Sequence, residues 1–130
     1  ALQNKPITIY GDGEQRADYI FIDDVTEAFL RAIEVDGIAG QIIPIGCGNS
    51  VSVNELADTI IRLTNSKSRK IYVQMRKGEI PLSISVNTSI SEELLNFKAK
   101  TDLVTGLKKT IPYYVQKISS KKVTVLLRDL

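Results

Sequence analysis

Arg16, Arg69 and Arg76 lie in or beside loops that follow β-rich runs, and a planar guanidinium there suits a diphosphate through two parallel hydrogen bonds. Taken one at a time, each is better read as a solvated surface arginine. Gly46-x-Gly48, between an apolar run and a helix, has the outline of a dinucleotide turn, in which backbone amides approach a pyrophosphate. It lacks the third glycine, and no acid closes the next strand, Lys70 to Met75, to take a ribose hydroxyl, so an ordinary turn is favoured, with a lesser role near a ligand. Tyr113-x-x-x-Lys117 has the one-turn spacing by which a lysine lowers a phenol's pKa for proton transfer. As a lone pair beside Pro112, with no cofactor loop upstream, it reads as a packed tyrosine. Asp23-Asp24 is explained as well by a helix cap as by paired carboxylate chemistry, and no metal-ligand spacing is present.

The elements that would position these groups alternate in type. Residues 6–10 form a short strand broken by Gly11-Asp12-Gly13, and Tyr19 to Ile22 a second β-rich run. Asp23 or Asp24 then caps a helix carrying Val25, Ala28, Phe29, Ala32 and Ile33, which stops near Asp36-Gly37. Gln41 to Ile45 has the length of a buried strand, pushed toward an edge by Pro44. Ser52-x-x-Glu55 is a capping box opening the clearest helix, which ends by Asn65-Ser66. Lys70 to Met75 alternates as a strand, Arg76 to Pro81 is a loop, and Ser89-x-x-Glu92 caps a short helix. Leu103, Leu107, Ile111 and Tyr114 mark a last helix that Pro112 kinks or shortens, and Val123 to Leu127 could form a final strand. Strands alternating with helices define an α/β domain.

Composition narrows the chemistry. The chain has 130 residues, one ordinary domain's worth, with a single cysteine, Cys47, and no histidine. Disulfides within the chain, Cys/His zinc sites and imidazole-dependent triads are thereby excluded. No apolar run approaches the roughly 20 residues of a membrane span, and the first residues lack a secretory pattern, so a cytoplasmic protein without a membrane partner is expected. The net charge of +2 hides an acidic head and a basic tail. Lys108, Lys109, Lys117, Lys121 and Lys122 have few aromatics among them and no nucleic-acid signature, which favours a solvated face over nucleic-acid binding.

Five segments in order carry a resemblance. They are Lys5-Pro-Ile-Thr-Ile-Tyr-Gly-Asp-Gly-Glu-Gln15, Asp18-Tyr-Ile-Phe-Ile-Asp-Asp-Val25, Ile45-Gly-Cys-Gly-Asn-Ser-Val51, Arg76-Lys-Gly-Glu79 and Glu93-Leu-Leu-Asn-Phe-Lys98. Together they resemble the C-terminal, substrate-binding half of the nucleotide-sugar epimerases and dehydratases of the extended short-chain dehydrogenase/reductase family, UDP-glucose 4-epimerase among them. The resemblance covers residues 1–117, a nucleotide-sugar-binding domain, and leaves 118–130 as a C-terminal extension. It implies a small α/β substrate domain without the Rossmann NAD domain, whose glycine-rich loop and catalytic Tyr/Lys this chain lacks. NAD is then implied for the complete enzyme and not for this chain alone.

The resemblance also assigns residues. Thr8 and Tyr10 would lie against the nucleotide base, Tyr19 and Cys47 would line the base and ribose pocket, Arg76 would clamp the diphosphate and Glu79 would sit beside it. The family's second phosphate-clamping arginine falls at Ala17, with Arg16 one residue away, where an extended chain presents the opposite face. Pro44, Pro81, Leu82 and Ser83 also depart from the pattern. Two functions are therefore expected: the UDP- or dTDP-hexose-binding part of an NAD-dependent epimerase or dehydratase, inactive as the isolated chain, or a degenerate homologue serving as a structural or interaction module. An unpaired sheet edge would seek either the missing Rossmann domain or a second copy.

Overall fold

A computed structural model describes residues 1–126, with side chains described through residue 120. The element order is β1 (Ile7–Tyr10), β2 (Arg16–Asp18), α1 (Ile22–Glu34), β3 (Ser50–Ser52), α2 (Val53–Leu63), β4 (Lys70–Val73), α3 (Ser89–Leu95) and α4 (Leu103–Leu126). The strands form two small sheets. β1 runs parallel to β4 with Ile7 opposite Lys70 and Tyr10 opposite Val73, and β2 runs antiparallel to β3 with Arg16 opposite Ser52. β1 alternates as a half-buried strand must: Ile9 is 2% exposed while Thr8 faces solvent.

The core lies where α1 meets the end of α3. Ala28, Leu95 and Phe97 are buried there, flanked by Ile20, Ala32, Val35, Ile43 and Ile45. Asn96 takes a left-handed conformation (φ 46°) and ends α3, turning Phe97 into this core. Arg31 covers the same corner by donating to the Leu95 and Asn96 carbonyls. α2 begins with the expected capping box: the Ser52 hydroxyl accepts from the Glu55 amide (3.1 Å) and a Glu55 carboxylate oxygen accepts from the Ser52 amide (2.8 Å).

Five expectations change. Ser89 is the opening residue of α3, and the N-cap is Thr88, without a side-chain cap bond. The strand lies at Arg16–Asp18, and Tyr19 to Phe21 is irregular, because β3 offers partners only to residues 16–18. α1 begins two or three residues earlier than an aspartate cap would set it. Phe21 occupies its N-cap without a side-chain bond, and the buried Asp24 accepts instead from the Thr101 amide (3.0 Å). Gln41 to Ile45 is irregular, since among the described residues no strand lies beside it to supply ladder bonds. The strand expected at 123–127 is helical over 123–126, and residue 127 lies outside the described residues. Ser119 and Ser120 do not break the helix: their hydroxyls donate back to the carbonyls of Val115 and Gln116. Pro112 is likewise held inside α4, where its ring nitrogen has no hydrogen for the Lys108 carbonyl.

Candidate functional site

In open α/β sheets ligands bind beyond the carboxyl ends of parallel strands, and the chain gathers polar side chains there. Tyr10 is the last residue of β1, and Arg76 follows the end of β4 by three positions. The Gly11 amide donates to the Val73 carbonyl (2.9 Å), keeping the two exits together, and Gly11 (φ 75°) lies where a Cβ would come 2.7 Å from Met75 Cε. The Arg76 guanidinium stacks 4.1 Å over the Tyr10 ring and donates to Glu79 at 3.1 Å. Its side chain remains 60% exposed, so the fork has donors facing solvent. Hydrogen bonding with the Tyr10 side chain and then the Glu79 carboxylate favour the charged arginine, raising its already high pKa.

Tyr19 and Cys47 meet elsewhere, in the wall of a cavity of about 350 Å³ that Asn49, Thr101 and Asp102 also line. The Cys47 thiol donates to the Tyr19 carbonyl (3.3 Å). Burial, with the Asp18 carboxylate beside it, pushes that thiol up to about 11. The Cys47 amide donates to one Asp18 oxygen at 2.8 Å, and the Gly48 amide donates to the other at 2.9 Å. These are the amides a dinucleotide turn would turn toward a pyrophosphate. Here a carboxylate of the chain already takes both, so the Gly46-x-Gly48 turn does not fit NAD.

Arg16 is committed to the protein. It donates to the Ser50 carbonyl (2.9 Å), the Ser50 hydroxyl (3.3 Å) and Glu55 (3.0 Å), joining β2 to the start of α2. The Ser52 amide, with Arg16 next to it, holds the Glu55 carboxyl below the usual carboxylate range. Thr8 is exposed on β1. The seven residues thus fall into a stacked trio of Tyr10, Arg76 and Glu79, a cavity pair of Tyr19 and Cys47, an inward-bonded Arg16 and a solvent-facing Thr8. Tyr113 and Lys117 lie on an outer face of α4, with the ammonium 5.5 Å from the ring and the ring 58% exposed. Among the described residues no group of three metal-ligating side chains occurs, and no helix is long and apolar enough to cross a membrane.

Asp18 is the residue that sequence reasoning passed over. It stands inside a quoted segment, but a single aspartate has no spacing partner that would single it out.

A two-sheet α/β fold with an exposed arginine beyond the ends of its parallel strands defines a class, and comparison with known proteins shows which. The profile of the NAD dependent epimerase/dehydratase family matches residues 1–46. UDP-glucuronate 4-epimerase of Thermodesulfobacterium geofontis is 29% identical over 117 residues, 89% of this chain and 35% of that protein. The crystal structure of Thermotoga maritima UDP-glucose 4-epimerase with UDP-glucose superposes with a TM-score of 0.83 at 31% identity, over 90% of this chain and 37% of that one. That of Bacillus cereus UDP-glucuronic acid 4-epimerase with UDP-glucuronic acid and NAD gives 0.81 at 28% identity, over 88% and 37%. Over most of its length the chain is similar to one part of the proteins of the NAD dependent epimerase/dehydratase family, and it spans 35% to 37% of the length of these relatives.

Proposed function

We propose that this chain grips the nucleotide diphosphate of a UDP- or dTDP-hexose, as the substrate-binding part of an NAD-dependent epimerase or dehydratase. The observation that carries this reading is the exposed Arg76 fork, stacked on Tyr10 beyond the ends of β1 and β4. UDP-glucose in the Thermotoga maritima relative, at the same fold, supports the ligand class. Thr8 and Tyr10 would face the base, Tyr19 and Cys47 would line the base and ribose pocket, and Arg76 would take the diphosphate with Glu79 beside it. Arg16, with three of its five N–H donors engaged by Ser50 and Glu55, leaves most of the anion grip to Arg76.

NAD accompanies the Bacillus cereus relative, and in this chain the amides of the Gly46-x-Gly48 turn are already taken by Asp18. This reading leaves hydride transfer to the family's NAD domain and has the isolated chain bind sugar nucleotide without turning it over. The outer stripe of α1, with Ile22, Phe29, Leu30 and Ile33 each more than half exposed, and Ile42 at 88%, is the face that part would cover.

The test is calorimetric titration with UDP-glucose, UDP and dTDP-glucose, repeated on Arg76→Ala. Removing one charge-assisted contact of about 1.5 to 3 kcal/mol should weaken binding roughly 10- to 100-fold. No binding at millimolar ligand, together with a mass that rises with concentration, would overturn this reading in favour of an interaction module using the α1 stripe.

A further inference from the structure

The two clusters come from distant stretches of sequence, and one side chain ties their loops together. Asp18 accepts from Cys47 and Gly48 in the turn, and its second oxygen also accepts from the Val86 amide at 3.3 Å. Val86 ends a segment that runs beside β2. The Arg16 amide donates to the Leu82 carbonyl (3.0 Å), and the Ile84 amide donates to the Arg16 carbonyl (3.0 Å). The next rung of such a parallel ladder would fall at residue 18, where the carboxylate takes the Val86 amide. That segment continues the loop bearing Arg76 and Glu79.

The packing is built for this approach. Gly46 is buried, and a Cβ there would sit 2.5 Å from Val86 Cβ and 2.8 Å from an Asp18 carboxylate oxygen. The Ser85 hydroxyl adds a second tie to the Gly48 carbonyl (3.3 Å). An ionised carboxylate is acceptor-only and has lone pairs enough for three amides. An asparagine of the same shape would turn an NH2 toward at least one of them.

We propose that Asp18 is the positioning residue of the sugar-nucleotide site: its carboxylate fixes the turn bearing Cys47 against the loop bearing Arg76, so that both engage one ligand. This rests on the reading of the site given above. Arg76 supplies the contact with the ligand, and Asp18 acts through it without touching the ligand.

The experiment is a double-mutant cycle on the 130-residue chain, titrated with UDP-glucose: unmodified, Asp18→Asn, Arg76→Ala and the pair. Amide hydrogen exchange at Cys47, Gly48 and Val86 is followed in parallel. Asp18→Asn should weaken binding about 10- to 100-fold and speed exchange at those three amides. Once Arg76 is gone, the same change should cost no more than a few-fold, since there is no clamp left to position. A merely structural aspartate would give losses that multiply. Multiplying losses, or Asp18→Asn binding within about twofold of the unmodified chain, would overturn the proposal while leaving the site reading intact. An unmodified chain silent at millimolar UDP-glucose would overturn both. Should Asp18→Asn fail to fold, Gly46→Ala takes its place in the cycle, because it keeps the charge and wedges the turn away from Val86.

Discussion

The turn at Gly46–Gly48 and the loop at Arg76–Glu79 both follow apolar or β-rich runs, both contain glycine, and both invite reading as anion sites. Their polar groups point in opposite directions. In the turn, the amides of Cys47 and Gly48 end on Asp18, and Gly46 is packed against Val86. In the loop, Arg76 rests on the face of Tyr10 and on Glu79 with more than half its surface in water, and Gly78 (φ 86°) has open space where a Cβ would be. A site for an incoming anion needs donors that the protein has not already satisfied. By that criterion the glycine turn is a wall, as its reading as an ordinary turn expected, and the arginine loop is the proposed clamp, the one of the two with donors facing solvent.

The contrast can be broken most forcefully at Gly46. Its replacement by alanine must move Val86 or the Asp18 carboxylate, and overpacking of this kind should lower stability by about 2 kcal/mol in urea unfolding. Gly78→Ala meets nothing within 4 Å and suffers the backbone alone, so about 1 kcal/mol is expected from its left-handed conformation. Equal losses at the two glycines would erase the distinction between packed wall and open loop. A larger loss at Gly78 would reverse it.

What the sequence disclosed follows the range of the interactions involved. The Ser52 and Glu55 capping box is local, three residues apart, and α2 appears where it was expected. α1 does not start at Asp23 or Asp24, because Asp24 finds its partner at Thr101, 77 residues away. The apolar run 41–45 reads as a strand by composition but lacks a neighbour to pair with, and pairing is what makes a strand. At the site, an arginine in a loop after a strand was legible, and Arg76 stands there with donors facing solvent. Arg16 has the same chemistry one residue from the family's arginine position, and that shift turns its donors onto Ser50 and Glu55. Asp18 was illegible for the converse reason: its three amide partners are 29, 30 and 68 residues away, with nothing in the intervening sequence to tie them to it.

The gentlest probe of the wall costs the fold nothing, because it reads the Cys47 thiol in place. Burial and then the Asp18 charge raise that thiol to about 11 from an ordinary 9.0, so the proton stays on in the folded chain where an unfolded chain would release it. Below pH 9 both states hold the proton and the group is neutral to stability-versus-pH. As pH climbs from 9 toward 11 the unfolded chain alone ionises, and the stabilising preference for the neutral thiol is progressively lost. The thiolate is the species that alkylates, so iodoacetamide at pH 8 should modify Cys47 roughly a hundredfold more slowly than an unstructured cysteine, and Asp18→Asn should narrow that gap. A Cys47 that reacts at the free-thiol rate would mean that the turn opens away from Asp18 in solution. Its amides would then be as available as the donors of Arg76, and the turn would belong with the clamp instead of the wall.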